Sequence, residues 1–379
     1  MKEGWEYKKI EDCCDILDSY RKPITKSKRV KGVIPYYGAT GLLDYVKDYI
    51  FDESLVLLGE DGAKWGAGEA SAYEISGKTW VNNHAHVLRP HKDKIVNTWL
   101  IYYLNYENLS PYIKGITVPK LNQRSMCSIV IPVPPLSEQQ RIVSYLDAAF
   151  AKIDAVAKNA EEALNEAKAL FQSALTKMMG PKEGWEEKTL LEIGKTQTGT
   201  TPSKSNSAFY GDYMPFIRPS EINYDGLGNL NYNSEIKLSK EGSESGRVFK
   251  TGSILMVCIG ATISKVGYNE QDVSCNQQIN VITPYDGFNY KFIYYAMTAP
   301  KFKAKVINEG TSSQATLPII NKRKWEQLSL AFPPIDEQIN IVDKLEIMHQ
   351  KICNMSSNLT RTLTECSALK QAILRQTFE

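Results

Sequence analysis

"PPLSEQQRIVSYL" begins at Pro134 and "PPIDEQINIVDKL" at Pro333, so nearly the same peptide occurs twice, 199 positions apart. Each opens a long polar run with periodic apolar residues, and the second run reaches Glu379. An element met twice in one chain points to internal duplication. Other stretches agree. "KEGWEYKKIEDCC" from Lys2 returns as "KEGWEEKTLLEIG" from Lys182, at an offset of 180. "NNHAHVLRP" from Asn82 aligns with "NQQINVITP" from Asn276, at an offset of 194. "IYYL" from Ile101 matches "IYYA" from Ile293, and "VPKLNQRSM" from Val118 matches "LPIINKRKW" from Leu317. As the offset grows from 180 to 199, the second copy gains about nineteen residues, most of them before Asn276.

With 379 residues, 42% of them hydrophobic, the chain is expected to form two or three domains with substantial cores. "MKEGWEYKKIEDCC" is charged where a secretion signal would be apolar, and the longest apolar run, "ILMVCIGATI", is far short of a bilayer span. Seven cysteines, including the neighbours Cys13 and Cys14, form an odd and irregular set that suits a reducing cytosol. The expectation is a soluble cytoplasmic protein with no membrane partner. Net charge is +2, but it alternates: residues 1–133 and 182–332 each carry +2, while 134–181 and 333–379 each carry −1. Two weakly basic blocks permit contact with phosphate without requiring it.

Each copy has one plan. Strand-like runs ("SLVLLGED", "KTWVNNHAHVL"; "GSILMVCIGATI", "NQQINVITP") are cut by Gly, Pro and Asn turns. A short helix is expected next ("NTWLIYYLNYENL"; "YKFIYYAMTAPKF"), then the double proline and a long helix. Ser137 with Gln140 reads as a capping box, and Asp336 as the N-cap of the second long helix. A heptad seam runs Ile142, Leu146, Ala149, Ile153, Val156, Ala160, Ala163, Ala167, Leu170, Ala174. Its counterpart is Ile341, Leu345, Met348, Ile352, Met355, Leu359, Thr362, Cys366, Leu369, Ile373. Spacings of three and four over some four heptads signal a coiled coil, with large side chains of one seam over the alanines of the other. Each helix has one seam to cover, so the two are expected to pair antiparallel within the chain, relating the halves by an approximate two-fold axis. The fold class is α+β: two similar strand-rich globules, residues 1–133 and 182–332, separated by long helices at 134–181 and 333–379.

No catalytic constellation emerges. Adenine methylation would call for an Asn/Asp-Pro-Pro-aromatic motif, whereas the double prolines read "VPPL" and "FPPI". Two "GKT" triplets, at Gly77 and Gly194, lack the glycine of a phosphate loop five residues earlier, where Ala72 and Thr189 stand. "EIK" at Glu235 is half of a nuclease motif at most. His84 and His86 alternate on an expected strand with no acidic or cysteine partner at ligand spacing, so neither a metal nor a catalytic residue is assigned.

The plan as a whole, with "PPLSEQQRIV", "PPIDEQINIV", the two "GWE" starts and "GTTPSKSNSAFYGDYMPFIRPSEI" at 199–222, resembles the specificity (S) subunit of type I restriction-modification systems. The resemblance covers essentially the whole chain. It implies a non-catalytic DNA reader: 1–133 and 182–332 would be target-recognition domains, each taking one half of a bipartite asymmetric site. The helices at 134–181 and 333–379 would set the spacer. They would also dock two methyltransferase (M) subunits carrying S-adenosylmethionine, which restriction (R) subunits bringing ATP and magnesium then join; this chain itself would hold no cofactor. Alternatives are a specificity subunit serving a fused methyltransferase-nuclease, a self-contained DNA-modifying enzyme with unrecognised motifs, and a coiled-coil scaffold.

Phosphate contacts give affinity and base-edge contacts give specificity. The expected DNA-binding residues of the first domain are Lys22, Lys26, Lys28, Arg29 and Lys31, with Tyr36 and Tyr37 behind them. In the second they are Thr200, Thr201, Ser203, Lys204, Arg218 and Ser220, with Thr311, Ser312 and Gln314. The basic runs "KFKAK" at 301–305 and "NKRKW" at 321–325, with Lys322 and Arg323, suit phosphate.

Overall fold

Both copies begin with the same turn. Gly4 and Gly184 have φ of +79° and +82°, a left-handed conformation that only glycine adopts without cost. The turn lays Lys2 over the ring of Trp5 and Lys182 over that of Trp185, each 5.1 Å from the centroid. Each indole then meets a core ring of its own copy edge-on, Trp5 against Trp99 and Trp185 against Phe292. The computed structural model describes residues 2, 4–115, 117–223, 230–311 and 317–379, with only the backbone of Thr311.

The first copy runs β1 (Glu6–Lys9), α1 (Ile10–Cys13), β2 (Cys14–Ile16), β3 (Lys31–Gly38), β4 (Gly41–Val46), β5 (Phe51–Asp52), β6 (Leu55–Gly59), β7 (Ala72–Ile75), β8 (Lys78–Val81), β9 (Ala85–Pro90), α2 (Asn97–Tyr106), α3 (Gln123–Cys127), β10 (Val130–Val133) and the long α4 (Leu136–Met178). The second runs β11 (Glu186–Thr189), α5 (Leu190–Ile193), β12 (Gly194–Thr198), β13 (Tyr210–Ile217), β14 (Lys237–Leu238), α6 (Lys240–Glu244), β15 (Ile254–Val257), β16 (Val266–Tyr268), β17 (Ser274–Cys275), β18 (Ile279–Pro284), α7 (Tyr290–Thr298), α8 (Pro300–Thr311), α9 (Lys322–Glu326), β19 (Ser329–Phe332) and the long α10 (Ile335–Phe378). The sheets repeat with the sequence: order β2-β9-β6-β7 returns as β12-β18-β15-β16, and β4-β3-β8-β5 as β14-β13-β17. In the latter sheets Tyr36 pairs in parallel with Trp80, and their equivalents Phe216 and Ser274 do the same. The expected strands and short helices are thus present, except that the run from Tyr290 divides at Pro300, whose missing N–H suits it to open α8.

The chain forms two compact units, Met1–Ala160 with Thr360–Glu379, and Glu161–Leu359. Each unit contains a segment of both long helices. In the first unit Val143 and Leu146 of α4 share a core with Leu374 and Phe378 of α10, and Phe378 stands edge-on to the fully buried Trp99, 5.0 Å away. Lys370 lies over Phe150, while Cys366, one turn earlier, reaches the carbonyl of Ile153; the segments are therefore antiparallel. In the second unit Leu164, Phe171 and Leu175 pack with Ile341, Leu345 and Ile352. There Lys182, just past α4, bonds Glu337 at 3.2 Å, and Phe171 faces His349, so this pairing is antiparallel too.

Two expectations about the long helices are corrected. The helices open one residue earlier than the predicted caps, on Leu136 and Ile335, so Ser137 and Asp336 are second residues and form no cap. The carbonyls of Pro135 and Pro334 accept the first helical bonds instead. The heptad phase also slips. Val156, Leu170 and Leu369 are 55%, 67% and 51% exposed, and the core is met by Leu164, Phe171 and Leu175 in α4 and by Leu374 and Phe378 in α10. From Leu146 and Ile153 the inward position recurs eighteen residues on, at Leu164 and Phe171, which is five turns at 3.6 residues. A strict heptad drifts about 20° per repeat against such a helix. Ile142, Leu146, Ile153, Ile341, Leu345, Ile352, Leu359 and Ile373 keep their inward places.

The "EQ" of each repeated peptide explains its recurrence. Gln139 is fully buried; its Oε1 accepts from the Val96 N–H at the N-cap of α2, and its Nε2 donates to the carbonyls of Lys94 and Pro134, at 2.8–2.9 Å. Gln338 repeats this, accepting from the Asn289 N–H at the N-cap of α7 and donating to the carbonyl of Pro333. Replacing Gln139 by Ala strands one buried N–H and two carbonyls, and we expect a loss of roughly 2–4 kcal/mol in urea unfolding. A loss indistinguishable from that of an exposed site would refute this role.

Candidate nucleic-acid interface

The basic candidates of the first unit lie on the approach to β3 and on its start. Lys26 and Lys28 flank a 3₁₀ turn, Lys22 precedes it and Lys31 opens the strand; all four side chains are exposed, with no hydrogen bond or ion pair to another described residue. Arg29 is different. It bonds Asp44 at 3.0 Å and the carbonyl of Ile24, and its guanidinium lies 4.5 Å over the ring of Tyr36. Tyr36 itself is 1% exposed and accepts from the Ile24 N–H, so it holds the loop from inside rather than facing a ligand. Tyr37 is half-buried against Tyr73. Alternation along β3 turns the Tyr36 ring to the packed face and Tyr37 the other way, a distinction that adjacency to a basic loop does not reveal.

In the second unit the loop after β12 is tied down. Thr200 Oγ1 accepts from the Arg247 N–H, Thr201 bonds Gln277, and Ser203 bonds Ser205. Lys204 is exposed at its crest. Arg218 and Ser220 are engaged by buried Glu221: Arg218 Nη2 donates to its Oε1 at 2.7 Å and Ser220 Oγ to its Oε2 at 2.9 Å. Burial would raise the Glu221 carboxyl, but these partners hold it below the ordinary carboxylate range. Lys322 pairs with Glu326 at 2.9 Å, and Arg323 is exposed beside it. Lys303 is half-buried, and burial lowers its ammonium pKa. Thr311 ends α8; Ser312 and Gln314 lie outside the described residues.

Sequence spacing gave the histidines no acidic partner, and the fold supplies them. His84 Nδ1 lies 2.5 Å from Asp61. His86, fully buried, has Nε2 2.7 Å from the carbonyl of Leu121, so Nε2 carries a hydrogen. Its Nδ1 is 2.5 Å from Asp18 Oδ2, and one further proton is shared there. Glu60 completes three groups that could ligate a metal, the one such cluster among the described residues. Its donors are already taken. Arg21 bonds both Asp18 and Glu60, and Lys120 bonds Glu60 at 2.8 Å. Burial would raise the Glu60 carboxyl, yet Lys120 and Arg21 hold it low. This is an ion-pair network beneath the loop that leads to α3. The second copy builds the same place without charge: Thr198 and Asn280, equivalent to Asp18 and His86, bond at 2.8 Å.

Sequence comparison decides what kind of frame this is. The model of the type I restriction modification DNA specificity domain matches residues 2–166 and again 182–364. The chain belongs to that family. DNA sequence recognition within a type I restriction-modification system is accordingly the role of this specificity chain. It is similar to S.HindORF215P of Haemophilus influenzae, a type I restriction enzyme specificity subunit by name, at 28% identity over 360 residues, 92% of this chain and 89% of that one. It is 22% identical over 383 residues to the EcoDI specificity subunit of Escherichia coli, covering 92% and 82%. In fold it resembles a chain solved in work on complex assembly and conformational transition of the type I R-M system, with TM-score 0.73, 18% identity and 100% and 98% coverage. The HsdS subunit of Thermoanaerobacter tengcongensis gives TM-score 0.53 at 17% identity, covering 100% and 97%. Among the described residues of the specificity chain, no helix is long and apolar enough to cross a membrane.

The two versions of the polar core should be exchangeable only as pairs. Changing Asp18 to Thr alone leaves His86 and Arg21 without their buried anion and should cost about 3–5 kcal/mol. Adding His86→Asn, which imports the pair of the second copy, should recover at least about 1 kcal/mol in a double-mutant cycle read by chemical unfolding. Strict additivity would show that the two residues do not act together.

Proposed function

We propose that the chain is a non-catalytic cytoplasmic reader of a bipartite, asymmetric DNA site. Residues 1–133 take one half-site and 182–332 the other. The helices at 134–181 and 333–379 set the spacer and dock two methyltransferase subunits, which restriction subunits join. S-adenosylmethionine, ATP and magnesium belong to those partners. The observation that carries this reading is the duplication itself: two copies of one frame, each with its own segment of two long helices, differing most in surface connections. A split asymmetric site needs two readers of like architecture and unlike surface. The basic candidates supply phosphate contact, Lys22, Lys26, Lys28 and Lys31 in the first copy and Lys204 and Arg323 in the second. Thr200, Thr201, Ser203, Arg218 and Ser220 reach DNA only if their present partners yield, while Arg29, Tyr36 and Tyr37 support the first loop from behind.

Two measurements test the reading. Purified alone, the chain should bind duplex but transfer no label from S-adenosylmethionine, and methylation should appear when methyltransferase subunits are added. Transfer by the chain alone would make it an enzyme. The spacer gives the second. Four helix-forming residues inserted after Glu162 lengthen α4 by ~6 Å and advance it ~400°, about 40° beyond a full turn. One base pair turns DNA by about 34–36° in the same hand. The half-sites should therefore keep their bases and the spacer grow by one base pair in a methylation map. An active variant with an unchanged spacer would show that these helices do not measure distance.

A further inference from the structure

The two copies of the frame differ in length at two connections. At a sheet edge, Pro35 of β3 pairs with Tyr45 of β4, and the equivalent Pro215 of β13 with Lys237 of β14; ten positions become twenty-two. The other sheet changes in the opposite sense. Leu58 of β6 pairs with Ala72 of β7, fourteen positions on, whereas the equivalent Met256 of β15 pairs with Val266 of β16, only ten on. In the first copy the longer connection closes on its long helix. Trp65 packs on the core and donates its indole N–H to the carbonyl of Gly59. Gly68 lies so close to the side chain of Gln371 on α10 that a Cβ would not fit.

In the second copy, where those four positions are missing, there is a cavity of about 420 Å³. It lies wholly within the second unit, between residues 262–266, the end of α7, α8 and the two long helices. Gln172, the equivalent of Gln371, stands exposed at its rim. Three ammonium groups line it from three elements: Lys168 of α4, Lys265 beside β16 and Lys303 of α8. Among the described residues lining it there is no Asp, Glu or Arg. Lys168 and Lys303 have no hydrogen bond or ion pair to another described residue, and Lys265 reaches the Pro219 carbonyl at 3.5 Å. Glu346, bonded to the lining residue Tyr295, is spent on Lys291. Lys303 is half-buried, and burial lowers its ammonium pKa with no carboxylate to offset it. An ammonium drawn from water without a counter-ion is a cost that a bound anion removes. The backbone points to the same place. The two described non-glycine residues with positive φ, Asn223 at +48° and Ser264 at +72°, both line this cavity. Residues with a Cβ use that region sparsely, and such strain gathers at binding sites.

The volume is that of a small-molecule site. Ammonium groups are compact point charges that suit phosphate, while arginine, whose planar fork matches a carboxylate, does not line the cavity. Phe171, Tyr294 and His349 add aromatic surface for a flat ring. We propose that this cavity binds a small organic phosphate of the nucleotide class, held by Lys168, Lys265 and Lys303 with its ring system against Phe171 and Tyr294. Bound there, the ligand joins α4, α8 and α10 of the second unit and locks that globule to its helix pair. The first copy closes the equivalent place with its own connection, so the chain takes one such ligand. The inference stands apart from DNA reading and does not depend on it.

The test uses the full chain by itself, so that nucleotide held by a partner subunit cannot contribute. ADP, GDP and CDP are titrated by calorimetry, with the matching nucleosides, inorganic phosphate and a DNA duplex for comparison. At least one nucleotide should bind at one site per chain, about tenfold or more tighter than its nucleoside or phosphate, and raise the unfolding midpoint. Lys303→Gln should weaken it about tenfold or more, the size expected for one charge-assisted bond. Because this variant removes an unpaired half-buried charge, it should unfold at the same or a higher urea concentration when no ligand is present. Gln172→Trp, at the exposed rim, should block the cavity and lower nucleotide affinity while leaving the unliganded midpoint unchanged. Absence of binding by all three nucleotides at about 1 mM would overturn the proposal. So would binding that both variants leave unchanged. Displacement of nucleotide by duplex, with duplex affinity falling as far in Lys303→Gln, would assign these ammonium groups to the DNA backbone and overturn it as well.

Discussion

A carboxamide buried at the first turn of a long helix is the constraint on which each half of this protein depends. Gln139 and Gln338 each accept from the N-cap amide of a core helix and donate to the proline-rich segment that leads into α4 or α10. A buried amide of this kind has a narrow geometry, because every unmet bond carries a desolvation cost. It therefore fixes the angle at which the long helix leaves the globule. The prolines before it stiffen the approach, and the KEGW turn packs its indole against the same core from the opposite end of the copy. The two repeated peptides with which the sequence opens, and the KEGW turns, belong to this joint.

What does not repeat lies away from it. Beneath the loop to α3 the first copy uses a network of four charged side chains and His86, where the second has a threonine and an asparagine. The two pairs occupy equivalent places, His86 on β9 and Asn280 on β18, but the second meets the place only in part: Asn280 Oδ1 accepts from Thr198, while its buried Nδ2 has no hydrogen-bond partner among the described residues. The frame thus keeps a polar pair at this place while the chemistry that fills it is free to change. The ionic version carries a larger penalty for losing one member, so it is the more specific of the two and the less tolerant.

Much of this was legible in the sequence, for identifiable reasons. The duplication, the long helices and the main strands follow from recurrence and periodicity, which local sequence records directly. The phase of the helix seam did not, because heptad and 3.6-residue readings agree near Leu146 and Ile153 and separate by one residue at Leu164 and Phe171. Which alanine or leucine turns inward there is set by the partner helix. Asp18, Glu60 and His86 meet only through the fold, being far apart in the chain, so no spacing rule could join them. Tyr36 illustrates the opposite error: a ring beside a basic loop looks like a ligand contact until the strand's alternation places it inside.

The sheet-edge connection has a consequence for how such a protein changes over generations. Its two ends are pinned to each other by strand pairing, Pro35 to Tyr45 and Pro215 to Lys237. Closing a flexible loop between fixed ends costs about 0.6 kcal/mol more for each doubling of its length. Going from ten positions to twenty-two therefore costs under about 1 kcal/mol, far less than the stability of a domain. The frame is nearly indifferent to what hangs from this edge, so a lineage can lengthen or exchange the segment by recombination without first evolving a new core.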